Sequence, residues 1–168
     1  VTEQRWLRLQ TLLQLPPIPA SAFQGLSLSD ISQLRQVPGV DAQWLTRMQP
    51  WLALLGKGAA LNINTASATL LATLEGVTPD LARRLVSERG LRGYASVQDF
   101  TFAPALIGLG VNSQGLGINS RWFRITTDVR LGARRLRLES DMARDPATGK
   151  WHLLQRRFLA PTHSEPSR

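Results

Sequence analysis

The chain has 168 residues, of which 43% are hydrophobic and 19% are charged. This length suits one compact domain or two small ones, and the apolar fraction is too high for intrinsic disorder. No run reaches the about 18–20 apolar residues of a membrane-spanning helix, and the absence of cysteine excludes disulfides, thiolate catalysis and cysteine-ligated zinc. Because Val1 opens the sequence without an initiator methionine or a signal-peptide pattern, we expect a fragment of a longer protein.

The net charge of +8, carried by 18 Arg and 2 Lys against 12 acids, is unevenly distributed. Residues 1–120 have a balance of +2, whereas residues 121–158 have a balance of +6. A strongly basic chain suggests a nucleic-acid partner. The excess positive charge nevertheless lies in the last third of the chain, so the net charge alone does not identify the partner.

The first predicted segment, residues 1–24, contains an N-terminal helix and a Pro-rich connector. An internal repeat with a shift of 37 residues follows, in which apolar residues recur at three- and four-residue steps over Ile31–Met48 and again over Ala68–Leu85. This spacing is that of one helix face. We therefore predict an α-helical domain over residues 25–104 with two helix-hairpin-helix-like (SAM-like) units.

Each unit is predicted to turn at a glycine, Gly39 in the first and Gly76 in the second, because a left-handed residue commonly ends a helix. Side chains that suit helix N-caps precede the predicted helices. In chain order these predicted caps are Ser29, Asp41, Asn64 and Thr78.

Two interpretations of these hairpins remain open, namely packed helical hairpins without a ligand and a module that binds DNA. DNA-binding hairpins grip phosphate with the backbone amides of a Gly-hydrophobe-Gly turn. The second glycine is replaced by Asp41 in one unit and by Thr78 in the other. A carboxylate repels phosphate, so we expect no nucleic-acid partner here.

From Arg121 the hydrophobic period changes to two, which predicts antiparallel strands. We assign residues 105–158 to this antiparallel β part and residues 159–168 to a flexible tail. Gly132 and the segment Asp145–Lys150 supply the turns of this meander. One face is predicted to be buried and the other charged. The predicted apolar side chains are Phe123, Ile125, Val129, Leu131, Leu136, Leu138 and Met142.

The charged face is interpreted either as a solvated surface with cross-strand ion pairs or as a binding face for an acidic partner. The candidate partner-binding residues are Arg124, Arg130, Arg135 and Arg137. Stacking of nucleic-acid bases needs exposed aromatic side chains, and only Trp122 is predicted to lie on this face.

No residue pattern predicts catalysis. His152 and His163 are a poor metal pair, because one lies in a predicted strand and the other in the predicted tail. Asp141 and Asp145 are predicted near a turn, where surface carboxylates are common. Phosphate-binding, dinucleotide and nucleophile-elbow motifs are absent from the sequence, so we expect no enzyme and no catalytic, cofactor or metal site.

Three segments together resemble the protein K family of type II secretion systems, over roughly residues 25–158. The structural motif of this resemblance contains Asn62, Asn64 and Thr65. The segments are Leu61-Asn62-Ile63-Asn64-Thr65-Ala66, Gly93-Tyr94-x-Ser96-x-x-Asp99-Phe100 and Gly117-Ile118-Asn119-Ser120-Arg121-Trp122-Phe123.

The resemblance implies an α+β fold, with a helical insert and the β-meander of a pilin-like domain on which a long N-terminal helix packs. It implies a minor pseudopilin at the pseudopilus tip that helps initiate pseudopilus assembly and supports protein export. Minor pseudopilins I and J are the implied partners, with H, the secreted substrate and the secretin as further candidates. The implied location is the bacterial periplasm, with an inner-membrane anchor outside this sequence.

Calcium is associated with the family through an acidic segment that this sequence lacks. Residues Pro16–Ser29 contain no acid, whereas calcium takes about six to eight oxygen ligands. We therefore expect no calcium site there. The alternative function is a DNA-binding protein of the competence-receptor type, which shares the Asn-x-Asn-Thr-Ala segment but keeps the glycine-rich hairpin.

Overall fold

The computed structural model describes residues 2–55 and 58–159, in two compact units that divide between Asn119 and Ser120. Residues 105–119, which the sequence groups with the β-meander, pack in the first unit. The predicted segments 1–24 and 25–104 also lie in that unit. Leu159 ends the last strand, and the rest of the predicted flexible tail lies outside the described residues.

The first unit is largely helical. Its α-helices are α1 (Glu3–Leu12), α2 (Ala42–Met48), α3 (Ala68–Leu71), α4 (Pro79–Glu88) and α5 (Val97–Thr101). Its 3₁₀ helices span Ala20–Phe23, Ile31–Gln36, Gln49–Trp51 and Pro104–Leu106. Two short strands, β1 (Leu61–Asn62) and β2 (Leu116–Gly117), pair in parallel.

The first repeat unit turns at Gly39, where φ is +88°, and Asp41 caps α2 by accepting a hydrogen bond from the Trp44 N–H at 2.6 Å. Both features confirm the prediction. The preceding helix is a 3₁₀ helix, and the predicted cap Ser29 is wrong by one position. Asp30 caps this helix instead, because its carboxylate accepts from the Ser32 N–H while the Gln33 side chain accepts from the Asp30 N–H.

The second repeat unit turns at Gly76, where φ is +73°, and Thr78 caps α4 with Pro79 in its first turn. The predicted cap Asn64 is wrong, because Ser67 accepts the hydrogen bond from the Leu70 N–H at the start of α3. Asn64 lies upstream of that helix, which leaves its side chain available for contacts with distant segments.

Two hydrophobic clusters hold the first unit together, one centred on each repeat. The N-terminal α1 contributes Leu9 to the first cluster. Gln10 of α1 is fully buried, and its amide bonds both the N–H and the carbonyl of Ile18, at 2.7 and 3.0 Å. A buried polar side chain is tolerated when its hydrogen bonds are made, so this pair fixes the connector against the helix.

The second unit is an antiparallel sheet of β3 (Trp122–Leu131), β4 (Arg134–Arg144) and β5 (Trp151–Leu159), in that order. The register pairs Phe123 with Met142 and Val129 with Leu136, so the side chains predicted to be apolar share one face of the sheet. The pairing between β4 and β5 shifts at Asp141/Met142, where Leu154 is the extra residue. This bulge explains why β5 carries apolar side chains on both faces.

The prediction that one sheet face is buried is wrong for the described residues. Phe123 is 42% exposed, Val129 is 49% exposed and Phe158 is 71% exposed. The physical reason is that residues 120–159 form a single layer of strands, with no helix of their own to cover the apolar face.

None of the helices in residues 2–55 and 58–159 has the length and apolar composition needed to cross a membrane.

Candidate functional site

The asparagine motif begins where β1 ends. Backbone bonds join Leu61 N–H to the Gly115 carbonyl and Ile63 N–H to the Gly117 carbonyl, at 2.8 and 2.9 Å. Asn62 Oδ1 accepts from the Asn64 N–H at 3.0 Å, and the Asn62 carbonyl accepts from the Thr65 N–H at 3.2 Å. The motif is therefore a tight turn that leads the chain from β1 toward α3.

The Asn64 side chain joins this turn to two distant segments. Its Oδ1 accepts from the Tyr94 N–H at 2.7 Å, and its Nδ2 donates to the carbonyls of Tyr94 and Ile118 at 3.0 and 3.3 Å. Gly93 has a φ of +67°, and a Cβ built there would lie 2.7 Å from Asn64 Oδ1. The amide thus requires a glycine beside it, which explains why Asn64 and Gly93 belong to one motif.

Arg89, at the end of α4, secures the same turn from the other side. Its guanidinium donates to the carbonyls of Ile63 and Ala66 at 2.9 and 2.7 Å. Sequence reasoning missed this role, because nothing in the helical period of α4 indicates where an arginine beyond its end will bond. The asparagine motif is thus a structural joint held by hydrogen bonds, with no reactive group assembled around it.

The two hairpin turns are packed against other segments of the first unit. A Cβ on Gly39 would meet the Ile18 side chain at 3.5 Å, and one on Gly76 would meet Leu109 Cβ at 3.2 Å. The Arg8 guanidinium donates to the Val77 carbonyl at 2.8 Å. These contacts give the glycines a packing role, and the Asp41 carboxylate keeps negative charge beside the first turn.

One cavity of about 380 Å³ lies in the first unit, with Trp6, Leu9, Trp51 and Leu52 among its mainly apolar lining. Arg5 reaches its wall and donates to the Asn112 carbonyl at 3.3 Å, and burial lowers the pKa of this guanidinium. No nucleophile paired with a base lies in this wall.

The charged face of the sheet contains a compact ion-pair network. Arg124 donates to both carboxylate oxygens of Asp141, at 2.7 and 3.1 Å, and Arg157 Nε donates to Glu139 at 2.6 Å. Arg157 also lies 3.5 Å from Asp141. The hydrogen bond from Arg124 lowers the pKa of Asp141, and the charges of Arg124 and Arg157 act in the same direction.

The four arginines predicted as a partner-binding face therefore have different surroundings. Arg124 belongs to the network just described, and Arg137 lies 3.5 Å from Asp128. Arg130 and Arg135 stand opposite each other on β3 and β4, close to the turn that joins those strands. The structure thus separates a charge-balanced end of the face from a basic end.

The candidate metal residues do not converge. Within residues 2–55 and 58–159, no three His, Asp or Glu side chains lie close enough to hold an ion. Asp145 accepts from the Ala147 and Thr148 N–H groups at 2.9 and 2.7 Å, and the bond from Thr148 lowers its pKa. Asp145 thus shapes its turn, while His163 lies outside the described residues.

Comparison with known proteins gives one consistent result. Residues 61–119, which contain the asparagine motif, match the family model described as "Type II secretion system (T2SS), protein K". Among curated relatives, type II secretion system protein K of Pseudomonas aeruginosa is 33% identical over 135 residues, which are 80% of this chain and 39% of that protein. The protein of the same name from Klebsiella pneumoniae is 32% identical over 139 residues, or 78% of this chain and 42% of that protein.

The fold has a solved counterpart in the crystal structure of the GspK-GspI-GspJ complex from the enterotoxigenic Escherichia coli type 2 secretion system. A chain of that structure matches with a TM-score of 0.73 at 20% identity, covering 94% of this chain and 70% of its own length. This likeness supports the α+β, pilin-like fold. The matches together confirm the resemblance to the protein K family. The chain spans about two fifths or less of the length of the curated relatives that it matches.

We expect Asn64→Ala to destabilise the helical unit by at least about 2 kcal/mol, because backbone groups of Tyr94 and Ile118 lose their partners. Urea unfolding followed by far-ultraviolet circular dichroism measures this change. Asn112→Ala, which removes an exposed amide that bonds only locally to Gln114, is the matched control and should cost no more than about 0.5 kcal/mol. Equal stability of the two variants would contradict the joint role.

The lowered pKa of Asp141 predicts an acid-sensitive sheet. A carboxylate whose pKa is depressed on folding contributes stability above the unfolded value of about 3.9, and this contribution is lost as the pH falls through the folded value. Thermal unfolding of the sheet, followed by the amide NMR signals of β4 at several values between about pH 2 and 6, should show this loss of stability. Asp141→Asn should flatten this dependence more than Asp128→Asn does, because Asp128 makes the looser ion pair.

Proposed function

We propose that this chain is part of a minor pseudopilin that works at the tip of a type II secretion pseudopilus. The carrying observation is the protein K match over residues 61–119, which coincides with the hydrogen-bonded joint around Asn64. The chain binds minor pseudopilins I and J, helps to initiate pseudopilus assembly and thereby supports export across the outer membrane. Its place of action is the periplasm.

A structural role suits the chemistry of the described surfaces. Several arginines and carboxylates of the described residues are engaged in turns, caps and cross-strand pairs. The described wall of the cavity in the first unit contains no acid–base pair. An assembly subunit needs stable shape and specific faces, and it needs no catalyst. We therefore assign no enzymatic activity to the chain.

The exposed apolar face of the sheet agrees with a pilin-like arrangement. Phe123 and Trp151 pack edge to face at 5.2 Å, and both stay about half exposed. The resemblance implies a long helix packed on this sheet, and an apolar face of this kind is the surface that such a helix covers. Contacts with pseudopilin H, the secreted substrate and the secretin stay predictions of the resemblance.

The DNA-binding alternative has no support from the matches described above. The hairpin turns also argue against it physically, because Gly76 packs on Leu109 and Asp41 places a carboxylate beside the first turn. Duplex DNA retention therefore distinguishes the two functions in the same preparation.

We expect the chain to co-elute with pseudopilins I and J of its own system as a single species in gel filtration with light scattering. The complex forms because the partners recognise surfaces of the folded chain, so the mass should equal the sum of the components. Separate elution of the chain from both partners would count against the proposal. Salt-sensitive retention of duplex DNA, with no pseudopilin complex, would favour the alternative instead.

We also propose that the connector of residues 16–29 binds no calcium. It contains no acid, and the Asp30 carboxylate next to it already accepts from the Ser32 N–H at 2.8 Å. The residues present therefore do not fit a site of about six to eight oxygen ligands. Isothermal titration with calcium should give no saturable heat, and a tight one-to-one isotherm that Asp30→Asn abolishes would show the proposal to be wrong.

A further inference from the structure

The cavity of about 380 Å³ in the first unit lies where its two hydrophobic clusters meet. Leu9 and Trp51 of the wall belong to the first cluster, and Leu61 packs against the second. Leu70, also in the wall, packs against both clusters. Small-molecule sites in proteins commonly have volumes of about 300–1,000 Å³ and mostly apolar walls. The cavity therefore has the size and the lining of a site for a small ligand.

The wall has a buried apolar part and an exposed polar part. Leu9 is 6% exposed and Thr73 is 5% exposed. The Thr73 hydroxyl donates to the Leu70 carbonyl at 2.6 Å, so its proton is used within the unit. Thr2 and Gln114, by contrast, are exposed lining residues. A ligand with one apolar and one polar end matches this gradient, with its apolar end toward Leu9.

Arg5 gives the wall a positive charge near its exposed part. Among the described lining residues it is the only charged side chain, and none of them is an acid. A guanidinium has five N–H donors, and the hydrogen bond described for Arg5 uses Nη2 on the Asn112 carbonyl. Its Nη1 lies 3.6 Å from the position of a Cβ built on Gly115, which is exposed.

The electrostatics of Arg5 favour an anionic ligand group. Burial lowers the pKa of this guanidinium, because the charged form is partly removed from water. An anion within hydrogen-bonding distance stabilises such a cation. A neutral apolar ligand would fill the cavity but would leave the charge of Arg5 as it is.

We propose that this cavity binds a single-chain aliphatic carboxylate, with the carboxylate on Arg5 and the chain against Leu9 and Leu70. A guanidinium can donate two parallel hydrogen bonds to the two carboxylate oxygens. At about 30 Å³ for each water-sized group, the volume holds about a dozen non-hydrogen atoms. This number suits a carboxylate of about eight to ten carbons and is too small for a phospholipid with two chains. The inference is independent of the proposed assembly function.

The test compares octanoate with octan-1-ol, which has the same chain length and no charge. Tryptophan fluorescence of the 168-residue chain, to which Trp6 and Trp51 of the wall contribute, measures the Kd of each at about 0.15 M salt. Octanoate should bind at one site, and Arg5→Gln should weaken it at least about tenfold, because the paired hydrogen bonds are lost. The same variant should weaken octan-1-ol less than about threefold, which also shows that it is folded. Arg84→Gln changes an exposed arginine outside the wall and should leave both affinities unchanged.

A second pair of variants tests the position of the chain. Ala59→Leu adds apolar volume to the wall and should weaken both ligands at least about tenfold, because a filled cavity has no room for them. Ala53→Leu makes the same change at an exposed residue outside the wall and should have no effect. The proposal is overturned if octanoate shows no saturable binding up to about 1 mM or if Ala59→Leu and Ala53→Leu bind it equally well. It is also overturned if Arg5→Gln weakens both ligands equally or behaves like Arg84→Gln.

Discussion

The amide of Asn64 ties three segments of the helical unit together at one point. It bonds to Tyr94, 30 residues away, and to Ile118, 54 residues away, while its own backbone is held by Asn62. A single side chain thus closes two long loops around one point. The Arg89 guanidinium fixes the same turn from α4, and Gly93 leaves the space that the amide occupies.

The sheet unit is stabilised by other interactions than the helical unit. Its stability on the charged face comes from cross-strand ion pairs, and Glu139 there has only 14% of its side chain exposed. The apolar face has no covering layer among residues 120–159, and Phe158 remains 71% exposed. The open apolar face of this sheet is suited to a partner, because apolar surface is stabilised when water is removed from it.

Periodicity and local chemistry predict much of this structure. Short-range rules predict the positive φ values at Gly39 and Gly76 and the caps at Asp41 and Thr78. They also predict that β3 and β4 alternate apolar and charged side chains. Ser29 and Asn64 were wrong as caps, because several neighbouring polar residues compete for the same helix start and side-chain geometry decides between them.

Long-range features could not be predicted from those rules. The parallel pair β1–β2 has two residues in each strand, too few to show a period. Burial of Gln10 and bonding of Arg89 depend on segments brought together by folding. Exposure of the apolar sheet face depends on what covers it, which alternation along a strand does not encode. The asparagine motif was found as a family signature, and its role as a joint emerged from the hydrogen bonds.

Our central claim is the proposal that the chain acts through surfaces that bind other pseudopilins, on a scaffold held by Asn64. Amide hydrogen exchange of the chain, alone and with saturating pseudopilins I and J, tests this claim most directly. Exchange should slow in at least one strand of residues 122–159, while residues 61–66 keep the protection that they have in the free chain. Identical exchange along the whole chain, with and without both partners, would contradict the claim.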